Sequence, residues 1–190
     1  MMLEKLLNDK KISVYKCAKE SNIPYTTLLE LVRGKTNIEN CSAQTVYRLS
    51  KVLDISMERI IEKCRIPERV AFETFKSRIC HEVKNKGDID FIIDTLNEDK
   101  VGRFWQLEWY PEAFYTLAML DYLSNENELP LADKYNNIRL CSLKEPLYPR
   151  DIILAAKINK NADIKRNAIN DSIPEFIRFN IVERGVRDVV

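Results

Sequence analysis

Apolar positions between residues 3 and 64 recur at helical spacing in short runs, each interrupted by a turn signal. Ser13 precedes Val14, Cys17 and Ala18, and this run must stop near Asn22 because Pro24 disfavours helical geometry just before it. Pro24 then opens a second segment at a position where a missing backbone N–H costs nothing. Leu28, Leu31 and Val32 supply the buried stripe of that segment and Gly34 ends it. Ser42 or Cys41 starts a third segment with Val46, Leu49 and Leu53 inward, and Ser56 caps a fourth that carries Ile60 and Ile61. The pattern predicts a compact cluster of short helices, two of them meeting at an angle across a tight turn.

The same periodicity continues beyond a junction at Ile66-Pro67-Glu68, where a proline can begin a helix and cannot continue one. The expected organisation is a first domain over 1–64 and a second, also helical, over 65–190. A long helix is predicted from Glu68 to Lys86 through Val70, Ala71, Phe72, Phe75, Ile79, Cys80 and Val83, ending at Gly87. Asp88 is placed as the cap of a helix over Ile89–Leu96, and an aromatic helix surrounds Phe104, Trp105, Leu107 and Trp109. Pro111 opens another, with Phe114, Leu117, Ala118, Leu120 and Leu123. Residues 125–149 read as irregular around Pro130, Pro146 and Pro149. Helical pattern resumes over 151–158 and 162–169 and from Pro174 onward, where the apolar end of the chain is expected to be ordered.

Composition narrows this to an all-α chain. Only four of the 190 residues are glycine, which leaves little for tight hairpins or phosphate-cradling loops. Five cysteines at 17, 41, 64, 80 and 141, with gaps of 24, 23, 16 and 61 residues, support neither a disulfide framework nor a zinc site. The first residues lack the apolar run of a signal peptide and no stretch is long enough to span a bilayer, so a cytoplasmic protein without membrane contact is expected. No internal repeat or flexible linker separates the two parts.

Candidate chemistry is thin. The single histidine, His81, lies between Cys80 and Glu82, and adjacent helical residues point about 100° apart, so Cys80 and His81 cannot serve each other as nucleophile and base. Position 85 is Asn, which removes the metalloprotease spacing. Asp88, Asp90 and Asp94 read as a cap and a solvated face, and the aromatic residues from Phe104 to Tyr115 read as core in preference to a ligand cage. No enzymatic activity, metal or cofactor is expected.

One stretch carries a more specific signal. Ser13-Val14-Tyr15-Lys16-Cys17-Ala18-Lys19-Glu20-Ser21-Asn22-Ile23-Pro24-Tyr25-Thr26-Thr27-Leu28, followed by Arg33-Gly34-Lys35, resembles the Cro/C1-type, lambda-repressor-like helix-turn-helix domain of phage-repressor-like regulators. Ser42 to Ser56 resembles that family's fourth and fifth helices. The departure is Asn22 at a turn position often held by glycine, and asparagine tolerates the left-handed geometry needed there. The resemblance implies a five-helix DNA-binding domain whose helix opening at Pro24 lies in the major groove. Tyr25, Thr26 and Glu30 are then the expected base contacts, and Lys16, Thr27, Arg33 and Lys35 the expected phosphate contacts.

Charge changes the picture only locally. The net charge is +1, yet residues 10–35 hold six basic against two acidic side chains, and residues 1–64 carry +3 where 65–190 carry −2. So small an excess suits a homodimer reading an inverted-repeat operator in double-stranded DNA better than a lone subunit. The leading expectation is a repressor of this kind. The family includes antitoxins that repress their own operon, which implies a cognate toxin as a partner for the second domain. Alternative expectations are a small-molecule-responsive regulator, and an interaction module that no longer binds DNA, the latter prompted by Glu30 and the near-neutral total. Tyr15 and Tyr47 fit a surface or a core position equally and neither is assigned.

Overall fold

The computed structural model describes residues 2–66, 68–161 and 163–187, apart from the side chain of Met2; the expected junction at Pro67, the predicted helix start at Ala162 and the last three residues lie outside that description. The chain is all-helical, with no strand among the described residues. It divides into two compact units. One runs through Arg69 and includes Gln106–Glu108; the other comprises Val70–Trp105 and the chain from Trp109 on.

The first unit holds α1 (Met2–Asp9), α2 (Val14–Ser21), α3 (Tyr25–Arg33), a 3-10 turn (Ile38–Asn40), α4 (Ala43–Leu53) and α5 (Met57–Cys64). Three serines start three of these helices by the same device. The hydroxyls of Ser13, Ser42 and Ser56 accept from the backbone N–H of Lys16, Thr45 and Arg59 at 3.2, 3.2 and 3.3 Å, each satisfying an N–H that the helix leaves without a partner. Asn22, Gly34 and Asp54 end α2, α3 and α4 in left-handed conformation. Pro24 stands one position earlier than predicted, as the residue before α3. Because each helix is too short to be stable alone, its stripe must be buried. Leu3, Leu7, Cys17, Leu28, Leu49, Leu53 and Ile60 meet in one aliphatic core.

The second unit is organised around α9 (Tyr110–Glu126), which is buried continuously from Glu112 to Asp121. Its sequence is apolar or aromatic on every side, so it must be covered all round. Against it pack α6 (Phe72–Lys86), α7 (Asp88–Asn97) and α13 (Pro174–Ile177). The remaining helices are α8 (Lys100–Gln106), α10 (Asn136–Arg139), α11 (Arg150–Asn159) and α12 (Asp163–Asn170), with a 3-10 turn at Asp133–Tyr135 inside the stretch expected to be irregular. Phe91, Tyr115, Phe176 and Phe179 anchor the main core, and Ile152, Ala168 and Val182 a smaller one.

Four details differ from the periodicity. α6 begins at Phe72, four residues late, because Phe72 is the first side chain of that run to pack on the core. Asp88 caps nothing: Gly87, at φ 83°, precedes α7, and the Asp88 carboxylate instead accepts from Arg187 at 2.8 and 3.1 Å and from Asn127 at 3.0 Å. The aromatic helix breaks at Glu108, whose φ of 60° makes Trp109 the entry to α9. Helix after Pro174 lasts one turn, since Ile181 then bridges to Leu147 in parallel and Val182 N–H donates to the Leu147 carbonyl at 2.9 Å.

Candidate nucleic-acid interface

The turn between α2 and α3 is fixed from three directions. Asn22 takes φ 53° and ψ 38° and returns its N–H to the Ala18 carbonyl. Ile23, buried, donates to the same carbonyl at 3.2 Å. The third tie is remote: the Arg48 guanidinium on α4 donates to the Asn22 carbonyl at 2.8 Å. A charged donor on a turn carbonyl is among the stronger hydrogen bonds. Beneath the turn, Cys17 is fully buried and burial pushes its thiol up to about 11, with Glu20 adding to the rise, so it stays neutral as a small core residue.

With the turn set, α3 lays Leu28, Leu31 and Val32 on the core and turns its other side outward. Thr26 and Glu30 are exposed one turn apart, and Arg33 continues the same edge. Tyr25 is 46% exposed at the first helical position, and Thr27 is half-buried. No side chain caps this end and no acidic residue occupies its first turn, so its free N–H groups and positive dipole end remain available to an anion.

Lys16 and Lys35 are exposed on either side of the helix in sequence; Lys16 lies 3.8 Å from Glu20. Among the described residues Arg33 and Lys35 form no ion pair. Glu30 accepts a long hydrogen bond of 3.4 Å from the Thr36 hydroxyl. The seven expected contact residues are thus all accessible at least in part. Tyr25 and Thr26 stand at the leading end, Glu30 and Arg33 further along, Lys35 just past the end and Lys16 on α2.

Two residues of this region carried no readable assignment in the sequence. Arg48 lies 26 residues from the carbonyl it holds, and nothing local marks it. Tyr15, 70% exposed on α2, places its ring 6.4 Å from that of Tyr25 at an interplanar angle of 58°. Only the packing of α2 on α3 brings the two together.

The other candidates resolve differently. His81 Nδ1 is 2.7 Å from the Ser77 carbonyl on its own helix. The aromatic residues pack on one another, Phe104 on Phe75 and Trp109, Trp105 on Tyr110 and Phe114, Tyr115 on Phe176. Of those from Phe104 to Tyr115, however, only Phe114 and Tyr115 are buried core; Phe104, Trp105 and Trp109 are half-buried and Tyr110 is exposed. Among the described residues no three His, Cys, Asp or Glu side chains are grouped to hold a metal ion, and no helix is long and apolar enough to cross a membrane.

A short capped helix, a left-handed turn and a second helix with an open leading end define a helix-turn-helix module. Residues 2–62 match the family model of the Cro/C1-type HTH DNA-binding domain. No curated protein and no solved structure matches the chain. The domain supports a DNA-binding transcriptional regulator.

Proposed function

We propose that the protein is a sequence-specific repressor that binds an inverted-repeat operator as a homodimer. The observation that carries this is the open leading end of α3, where Tyr25 and Thr26 are exposed and no side chain caps the helix, while Arg33 and Lys35 at its far end form no ion pair among the described residues. In this reading Tyr25, Thr26 and Glu30 meet base edges while Lys16, Thr27, Arg33 and Lys35 contact phosphates. Threonine offers a donor, an acceptor and a methyl, and Glu30 accepts from a cytosine amino group. The local charge of residues 10–35 is too small for a tight monomeric complex, and two half-sites one helical turn apart supply the remaining contacts.

The second unit is read as the regulatory half. Antitoxin-like control, in which this unit holds a toxin and the first represses the shared operon, fits a second folded unit of this size. Fluorescence anisotropy against the protein's own promoter and against unrelated duplex at one salt concentration tests the core of the proposal. Preference for the promoter by about tenfold or more is expected, and equal affinity overturns it. Co-purification with the products of neighbouring genes tests the regulatory half, and a chain that emerges alone, with unchanged operator binding, removes the toxin partner.

A further inference from the structure

Tyr15 and Tyr25 are two large rings left open to solvent side by side, 70% and 46% exposed, with their centroids 6.4 Å apart. Tyr25 is the first residue of α3 and is followed by the exposed Thr26; Tyr15 reaches it from α2. Both backbones are anchored, α2 by the Ser13 cap and the turn by Asn22 and Arg48. A tyrosine has few torsions to freeze, so a ring held in this way presents apolar surface at low entropic cost.

In the major groove the base edges offer donors, acceptors and one apolar group, the thymine C5-methyl. We infer that Tyr25 reads a thymine methyl in each half-site and that Tyr15 is the positioning residue that holds the Tyr25 ring against it. This rests on the proposed DNA-binding function and adds to it a base preference and a residue outside the expected contact set. The ring face, not the phenol hydroxyl, does the reading. Tyr15 acts through its packing on Tyr25, 6.4 Å between centroids.

The experiment uses the full chain and operator duplexes recovered by selection from a random library at fixed salt. Each thymine of a recovered half-site is replaced in turn by deoxyuridine, which removes the methyl alone. One position is expected to lose about three- to fourfold in affinity, the effect of returning one buried methyl to water. Tyr25→Ala abolishes the difference between the two duplexes, Tyr15→Ala reduces it, and Tyr15→Phe and Tyr25→Phe retain it. Selective binding that is indifferent to deoxyuridine at every position overturns the inference and leaves the regulator standing. So does a methyl effect that survives Tyr25→Ala, or one that Tyr25→Phe abolishes, which assigns the contact to the hydroxyl. Recovery of no preferred sequence overturns the regulator reading itself and this inference with it.

Discussion

In the first unit Lys10, Lys11, Lys19, Arg33 and Lys35 form no ion pair among the described residues, and the one pair at the reading edge, Lys16 with Glu20, is long at 3.8 Å. In the second unit the charges are used on each other. Asp121, 1% exposed, receives both Nε and Nη2 of Arg139 at 2.9 and 2.7 Å. Lys76 and Glu183 meet at 2.6 Å with little exposure, and the Tyr115 hydroxyl donates to the same carboxylate at 3.3 Å. Burial pushes the Tyr115 phenol and the Cys80 thiol beside it upward, so both remain neutral donors in a closed polar cluster. Glu82 is held below its ordinary range although burial alone raises it, because Lys100 and Lys86 outweigh that effect. Unpaired cations at a surface are what an anionic ligand needs, whereas paired ions inside a fold are spent on holding segments far apart in sequence. The contrast supports the proposal that DNA recognition lies in the first unit, and shows buried ion pairs tying together distant segments of the second.

The sharpest way to break this contrast is Arg139→Met. Removing the cation leaves Asp121 buried with only the more distant Arg178 at 3.7 Å, and a loss of about 3 kcal/mol in urea unfolding is expected. A cost no greater than that of a surface pair makes the second unit's pairing ornamental. Next in size is Thr26→Ala, expected to weaken operator binding by about 1–3 kcal/mol with little change for unrelated duplex; an unchanged operator preference in a binding titration takes Thr26 off the reading edge. For Lys35→Ala the expected loss is about 1 kcal/mol, shared by all duplexes, with the slope of log affinity against log salt reduced by about 1. A loss confined to the operator contradicts a phosphate role.

The smallest effect belongs to Asp88. Its hydrogen bonds from Arg187 hold the carboxyl below its ordinary range against a smaller opposing effect of burial. A group lowered in the folded state contributes above its unfolded pKa and loses that contribution as pH falls through the folded value. Asp88→Asn is therefore expected to cost under about 1 kcal/mol at neutral pH for this half-exposed partner. It should also flatten the acid side of the stability profile, measured as Tm between neutral and strongly acidic pH. An identical acid limb in both proteins rules the pair out as a contributor.

What could be read in advance follows the range of the forces involved. Ser13 and Ser56 were legible as caps because a cap acts within three residues, Ser42 as one of two starts beside Cys41, and Asn22 and Gly34 because a left-handed backbone is a local demand. Asp88 offers the same local signal and does something else, since its partner Arg187 arrives from 99 residues away. The break at Glu108 had no glycine to announce it. The one-turn α13 and the bridge from Ile181 to Leu147 depend on a contact that no periodicity within either segment encodes. At the interface the outward residues of α3 followed from its stripe, whereas Tyr15 and Arg48 needed the packing of α2 and α4 upon it.

Arg48 has a practical corollary for anyone wishing to graft this reading module onto a different scaffold. A transplanted segment from Ser13 to Lys35 would carry its caps and its stripe but leave behind the guanidinium that clasps the Asn22 carbonyl. A recipient lacking an equivalent arginine should splay the two helices, and the borrowed segment would then inherit the letters of its operator without the angle at which to spell them.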